Sequence, residues 1–481
     1  MKSRSTLLFS ALLTLFAVIF LFSIFGEKVP YNDGAGWDGV FYRDVTQNFT
    51  TDFFRNSYDS FRIQRIFPFF IINILLSIFS IEPTHTATMN TMLVLLCLNM
   101  AVLVIYFFKL ARLLQWPTQI AAVLFSCLFL NFFFLKSYGY EPFQTDSFAI
   151  TFSLASYYYL LRNKPLISFA SSLPAAFCWP TIPFIVLILI ALRNQPSDSE
   201  FRYHPPIHFA APAYILAPFA FTWLMQLIHS KVSLSELLMS EHSLSFYALN
   251  ALITSVFLFF VLKVVQKIGI PSPCALWRHF DFKILILPII LFLMTKGIVA
   301  YFSSGENYYS SSLFLLQMLI RPLKYPLVFL VNHITAWGIF FALILCRWND
   351  FSEIFLKKSF GHAIVFFVFC LFLLDSESRH ITFLLPILLY PLGETLKKTN
   401  LTSKGATILV GAQIFLSHFY YRVNQPDLAE IFERNELSHP LAQRYFMNFG
   451  PWLTTETYLF WAAISILTLL LVIFVIKKSK N

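Results

Sequence analysis

The chain has 481 residues, 57% of them hydrophobic and 12% charged, with a formal net charge of +10. Soluble domains carry about 25% charged residues, so there are too few polar side chains here to cover a water-facing surface, and a large soluble enzyme is excluded. The positive balance does not point to nucleic acid either, because Lys and Arg fall in short segments between apolar runs and form no stripe interleaved with aromatics.

Hydropathy predicts an all-α polytopic membrane protein with about 13 (12–14) transmembrane helices. The expected spans lie at 5–25, 88–108, 118–136, 145–161, 166–179, 181–192, 207–229, 245–265, 284–302, 325–346, 359–374, 380–396, 405–421 and 457–476. Lys2 and Arg4 precede the first run, which lacks a small-x-small cleavage pattern and reads as an uncleaved signal anchor. The basic segments at Lys109/Arg112, Arg162/Lys164, Arg193–Arg202, Lys263–Lys283, Arg347–Lys358 and Lys397–Lys404 then share one side with the C-terminal Lys477, Lys478 and Lys480. Positive residues favour the cytoplasm, so both termini are expected there. The apolar run 66–81 begins and ends outside on this scheme, and is expected to lie on the outer surface as a helix opened by Arg62, Arg65 and Pro68. No internal repeat is visible.

The long outer first loop, about 26–87, opens with the stretch Pro30–Asp44. Asp33, Asp38 and Asp44 stand there among Gly34, Gly36, Gly39, Trp37, Phe41 and Tyr42. A carboxylate just outside the membrane can deprotonate an attacking hydroxyl or hold a divalent cation against a phosphate. The bland alternative is a polar loop whose aromatics anchor it at the headgroups. Arg62 and Arg65 share a helix face and suit a lipid phosphate, or equally a headgroup anchor. The short loop 137–144 brings Tyr138, Tyr140 and Glu141, with Asp146 one residue into the next apolar run, where an ionisable group is costly. Late in the chain, Asp375, Glu377, Arg379 and His380 are compressed between two apolar helices. Arg379 is the natural phosphate partner, with Glu377 or Asp375 to orient it.

Six Cys show no CxxC pairing, and there is no HExxH, P-loop or GxGxxG. His229, His333, His362 and His418 stay unassigned.

Taken in order, these features resemble the GT-C class of membrane glycosyltransferases, which use polyprenyl-phosphate sugars. The resemblance is carried by Asp33 and Asp38 after the first span, Arg65-Ile-Phe-Pro68, Lys109/Arg112, Asp146, Trp179-Pro180-Thr181, and Arg379 before Leu384-Leu-Pro386. It implies a catalytic module over 1–200, including loop 26–87. A further transmembrane bundle over 201–481 would carry outer loops 303–324, 375–380 and 422–456. It implies that Asp38 or Asp33 is the base and that Arg62, Arg65, Glu141, Asp146, Arg379 and His380 bind the substrate. The donor would be a lipid-linked sugar, and no nucleic acid is a partner.

In some members of the class the first- and second-loop acids hold Mg or Mn. Here Asp33 and Asp38 stand apart rather than as an adjacent pair, so a metal stays open. A bacterial inner membrane is the expected location. A transporter or flippase of lipid-linked saccharide would need ionisable positions at mid-span of several helices, whereas the charges here cluster at the outer rim. A non-catalytic scaffold subunit is the other alternative.

Overall fold

The computed structural model describes residues 2–54, 58–59, 61–196, 200, 204, 207–229, 242–304 and 317–479. The expected loops 230–244 and 303–324 and the segment Arg193–Arg202 therefore lie partly outside the described residues. Among those residues the chain is all helical, with two isolated bridges, Tyr58 to Ser303 and Glu377 to Phe449, and no strand.

Among the described residues, four helices are long and apolar enough to cross a bilayer: His85–Leu113, Leu244–Ile268, Phe282–Phe302 and Thr455–Lys478. The pair Thr118–Phe129 and Phe133–Tyr140 makes a fifth candidate, bent by 50°. Several shorter apolar helices, among them Phe360–Leu373 and Ser403–Leu416, accompany them. This is the composition of a membrane-embedded protein.

Two of the expected spans are interrupted. The run 118–136 breaks after Phe129, and the run 325–346 breaks at Gly338, whose φ of +62° suits glycine. A broken helix in lipid must re-satisfy its freed backbone groups. One side chain serves both breaks, because Gln413 Nε2 donates to Leu130 O (2.7 Å) and Gln413 Oε1 accepts from Ile339 N (2.8 Å). Asn131 adds bonds to Cys127 O and Leu128 O. Hydropathy counts apolar residues and does not see these polar staples.

The run 66–81 forms the helix Phe67–Ile78, of 12 residues. At 1.5 Å per residue it spans about 18 Å, short of a hydrocarbon core of about 30 Å. Phe69 and Ile72 are fully buried on one side, while Phe70, Ile78 and Phe79 are exposed. Asn73 ties the helix to Thr46 O at 2.9 Å.

Thr46 belongs to a helix that the sequence reading left as loop, Asp38–Phe54. The segment 422–456, expected as the last outer loop, is also folded, with short helices Leu428–Glu433 and Gln443–Phe446. Its Phe432 and Phe446 pack on Trp37 with ring centroids 5.1 and 5.2 Å away. Tyr140, Val423, Leu428 and Tyr445 join the same apolar cluster. The two ends of the chain are thereby closed over one another on the face that carries the acidic residues.

Candidate functional site

Four segments converge here. The first is the turn before the helix Asp38–Phe54. Gly36 has φ +73°, and a Cβ there would stand 2.6 Å from Glu141 Oε1, so glycine lets the first loop lie against that carboxyl. Gly39 allows the same close approach to Phe143. Asp38 then opens the helix, exposed, where the helix dipole favours its negative charge.

The second segment supplies Glu141 and Asp146. Glu141 Oε2 accepts from Tyr445 OH at 2.9 Å and from Gln144 Nε2 at 2.5 Å. Burial pushes the Glu141 carboxyl up to about 7, against the pull of Arg379, Tyr445 and Gln144, and the Asp38 charge adds to the rise. Asp146 is the first residue of Asp146–Leu161 and only 4% exposed. Its Oδ1 is buried with no hydrogen-bond partner among the described residues. The charges of Arg379, Arg65 and His380 all act on it.

The third segment is Asp375–His380. Asp375 Oδ2 lies 2.7 Å from His380 Nδ1, and Glu377 N donates to Asp375 Oδ1 at 2.9 Å. Glu377 Oε1 accepts from Arg379 Nε, and Glu377 Oε2 accepts from Arg321 Nη1 at 2.9 Å. Burial pushes the Glu377 carboxyl up, but Arg379, His380 and Arg321 outweigh it and hold it well below the ordinary carboxylate range. The same balance, led by His380 and Arg321, lowers Asp375. Asn332 Nδ2 and Trp337 Nε1 fix this loop by bonding Ser376 O (2.6 Å) and Ser378 O (3.0 Å).

Arg379 joins the segments. Burial works against its charge, but Glu377, Asp146, Asp38 and Glu141 together raise its pKa. These acids come from three segments far apart in sequence, Asp38, Glu141 with Asp146, and Glu377. Asp33 is not among them; it is exposed and sits at φ +55° in the turn before Gly34.

The fourth segment separates the two arginines of the first loop. Arg65 stacks over Trp179 (5.2 Å), and its charge acts on Tyr42 and Asp146. Trp179 in turn lies 6.0 Å from the His380 ring, so the Trp179-Pro180-Thr181 stretch belongs to the site. Arg62 instead pairs with Asp59 at 3.6 Å and covers the Phe41 ring. It is held outside the cluster.

The sequence reading missed Arg321 and Tyr445. A signal for Arg321 existed, since Arg321 and Lys324 are cations in a loop expected on the outer face, against the charge rule. Nothing in the sequence pointed to Tyr445. Among the described residues, no group of three or more His, Cys, Asp or Glu side chains is disposed to hold a metal ion.

The raised Glu141 carboxyl makes a testable contribution. A carboxyl whose folded pKa lies above its ordinary 4.5 favours folding below that value, and the advantage is lost as pH rises through about 7. The loss amounts to about 3 kcal/mol. Glu141→Gln keeps an oxygen for Tyr445 and Gln144 but cannot ionise. Its melting temperature, relative to wild type, is expected to climb between pH 5 and pH 8. A gap that stays constant over that range contradicts the assignment.

Comparison with family models, with curated proteins and with solved structures gave no match, so the functional reading rests on the residues themselves.

Proposed function

We propose that this chain is a GT-C-like glycosyltransferase that moves a sugar from a polyprenyl-phosphate donor to an acceptor on the non-cytoplasmic membrane face. The observation that carries the reading is the convergence of Asp38, Glu141 and Asp146 on Arg379, with Arg65 alongside. An exposed carboxylate at a helix start, next to half-buried cations, suits a reaction that moves negative charge onto a departing phosphate.

In this proposal Asp38 takes the proton of the acceptor hydroxyl as its oxygen attacks the anomeric carbon. The carbon–oxygen bond to phosphate breaks, and Arg379 and Arg65 receive the phosphate. One carboxylate acting as base without a covalent intermediate implies inversion at the sugar. Asp375 and Glu377 keep His380 and Arg379 in place, and His380 lines the donor side. Glu141 and Asp146 shape the sugar subsite, with the unpartnered Asp146 Oδ1 as an acceptor for a sugar hydroxyl.

The membrane arrangement proposed with it has 14 crossings, an even number as two termini on one side require, counting the shorter and broken helices as spans. Both termini are cytoplasmic, in a bacterial inner membrane. The shared outer position of the four segments follows from that scheme. A flippase of lipid-linked saccharide is the competing reading, and what weighs against it is that the paired charges gather at helix ends.

Arg379→Lys tests the reading. A point ammonium cannot serve Glu377 and a phosphate with the same planar fork, so transfer should fall to a small fraction of wild type with a raised donor KM. Near-wild-type turnover removes Arg379 from the site.

A further inference from the structure

A second hollow lies at the end of the first helix, Lys2–Ile24. Ile19, Phe22, Leu135 and Phe419 wall a cavity of 460 Å³, and Glu27, Lys136 and Arg422 supply its charges. The surrounding surface is apolar and exposed, with Phe22 77%, Phe25 70% and Tyr420 53% accessible. Contiguous exposed aromatics at the end of an apolar helix are what a bilayer interface receives.

The charges are unevenly spent. Lys136 rises from the π-helical turn Phe133–Ser137, where the broken span bends, and pairs with Glu27. Glu27 also accepts from Val423 N and Asn424 N, both at 2.9 Å. Its carboxylate thus already accepts three bonds and balances the charge of Lys136, and among the described residues it forms no ion pair with Arg422. Arg422 stands at the mouth, exposed, and among the described residues its guanidinium makes no ion pair or hydrogen bond. Its carbonyl is held by Arg444 Nη1 at 3.1 Å, and Arg444 covers the Tyr421 ring, so a second cation flanks the opening. An apolar hollow open to lipid, with an unspent guanidinium at its rim, is complementary to a phosphate on an acyl-chain body.

We infer that this cavity binds an anionic phospholipid of the surrounding bilayer, with its headgroup phosphate on Arg422 and its chain along Ile19, Phe22 and Phe419. The site is separate from the Asp38–Arg379 cluster and does not depend on glycosyl transfer. Its occupant would brace the segment Val423–Asn424, from which the loop carrying Tyr445 departs.

The test is native mass spectrometry of the full chain in detergent. The protein is titrated with phosphatidylglycerol, phosphatidylcholine or inorganic phosphate. Wild type is expected to hold phosphatidylglycerol more tightly than phosphatidylcholine. Arg422→Gln should lose about 10–100-fold in that affinity, the usual worth of a charge-assisted hydrogen bond, and Arg422→Lys should lose less. Arg434→Gln, which removes an exposed cation paired with Glu430 in the same loop, should bind as wild type. A melting curve for each variant first establishes that it is folded. Unchanged binding by Arg422→Gln, or equal loss in Arg434→Gln, overturns the site. Equal retention of phosphatidylcholine, or displacement of the lipid by inorganic phosphate at matched concentration, overturns its assignment to an anionic lipid.

Discussion

Asp38→Asn is expected to slow sugar transfer by about 10²–10⁴-fold, the usual worth of a general base, with donor binding close to wild type. The substitution preserves shape and removes only the ability to accept a proton. Asp38 is the first-loop carboxylate whose charge reaches both Arg379 and Glu141, and Gly36 is what lets its turn lie against Glu141. Asp33→Asn, in an exposed turn, should leave transfer nearly intact. Both variants are measured for transfer and for donor binding, with and without added Mg or Mn. Loss of donor binding together with loss of a metal response would make Asp38 a metal ligand instead. Unchanged transfer in both variants returns the loop to a headgroup anchor.

Glu377→Gln is expected to cost about 3 kcal/mol of stability, because it leaves two partly buried guanidinium groups sharing a neutral amide. Glu377 is 3% exposed at its side chain and bridges Arg379 to Arg321. The loss should also appear in pH dependence. A depressed carboxylate adds stability that is fully present above its ordinary value of 4.5 and is lost as pH falls toward its folded value. Wild type should therefore weaken below about pH 4.5 more steeply than the variant does. Thermal unfolding in detergent from pH 3 to pH 7 measures both effects. Parallel curves with a small offset would show that Glu377 is not the hub of this network. Donor KM, read on the same preparations, should rise because Arg379 loses its orienting partner.

The membrane class was legible because composition alone forbids a soluble surface. Asp146 and Arg379 were legible for a related reason, since an ionisable group at the edge of an apolar run is costly and stands out. The helix Asp38–Phe54 was not, because its polar, Gly-flanked start looks like loop and its apolar positions are few. The helix breaks at Phe129 and Gly338 were hidden because Gln413, which satisfies both, sits in a third apolar run with no local mark of its role. Long-range pairing was the larger obstacle. Glu377 meets Arg321 across 56 residues and Glu141 meets Tyr445 across 304. A sequence read locally offers Asp375 and Glu377 as equal partners for Arg379. The fold assigns Glu377 to Arg379 and Asp375 to His380.

The most direct measurement follows the donor itself. The full chain in lipid nanodiscs is incubated with polyprenyl-phosphate carrying a radiolabelled sugar, drawn from a panel of hexoses and pentoses, and with membrane extract as the source of acceptor. Glycosyl transfer predicts that for one sugar the label leaves the lipid fraction and free polyprenyl phosphate accumulates in equal amount. The Asp38→Asn and Arg379→Lys proteins should release almost none. If instead every labelled donor stays intact while wild-type protein in sealed vesicles carries it from one leaflet to the other, and Asp38→Asn does so equally well, the chain is a lipid-linked saccharide transporter and the catalytic account is wrong.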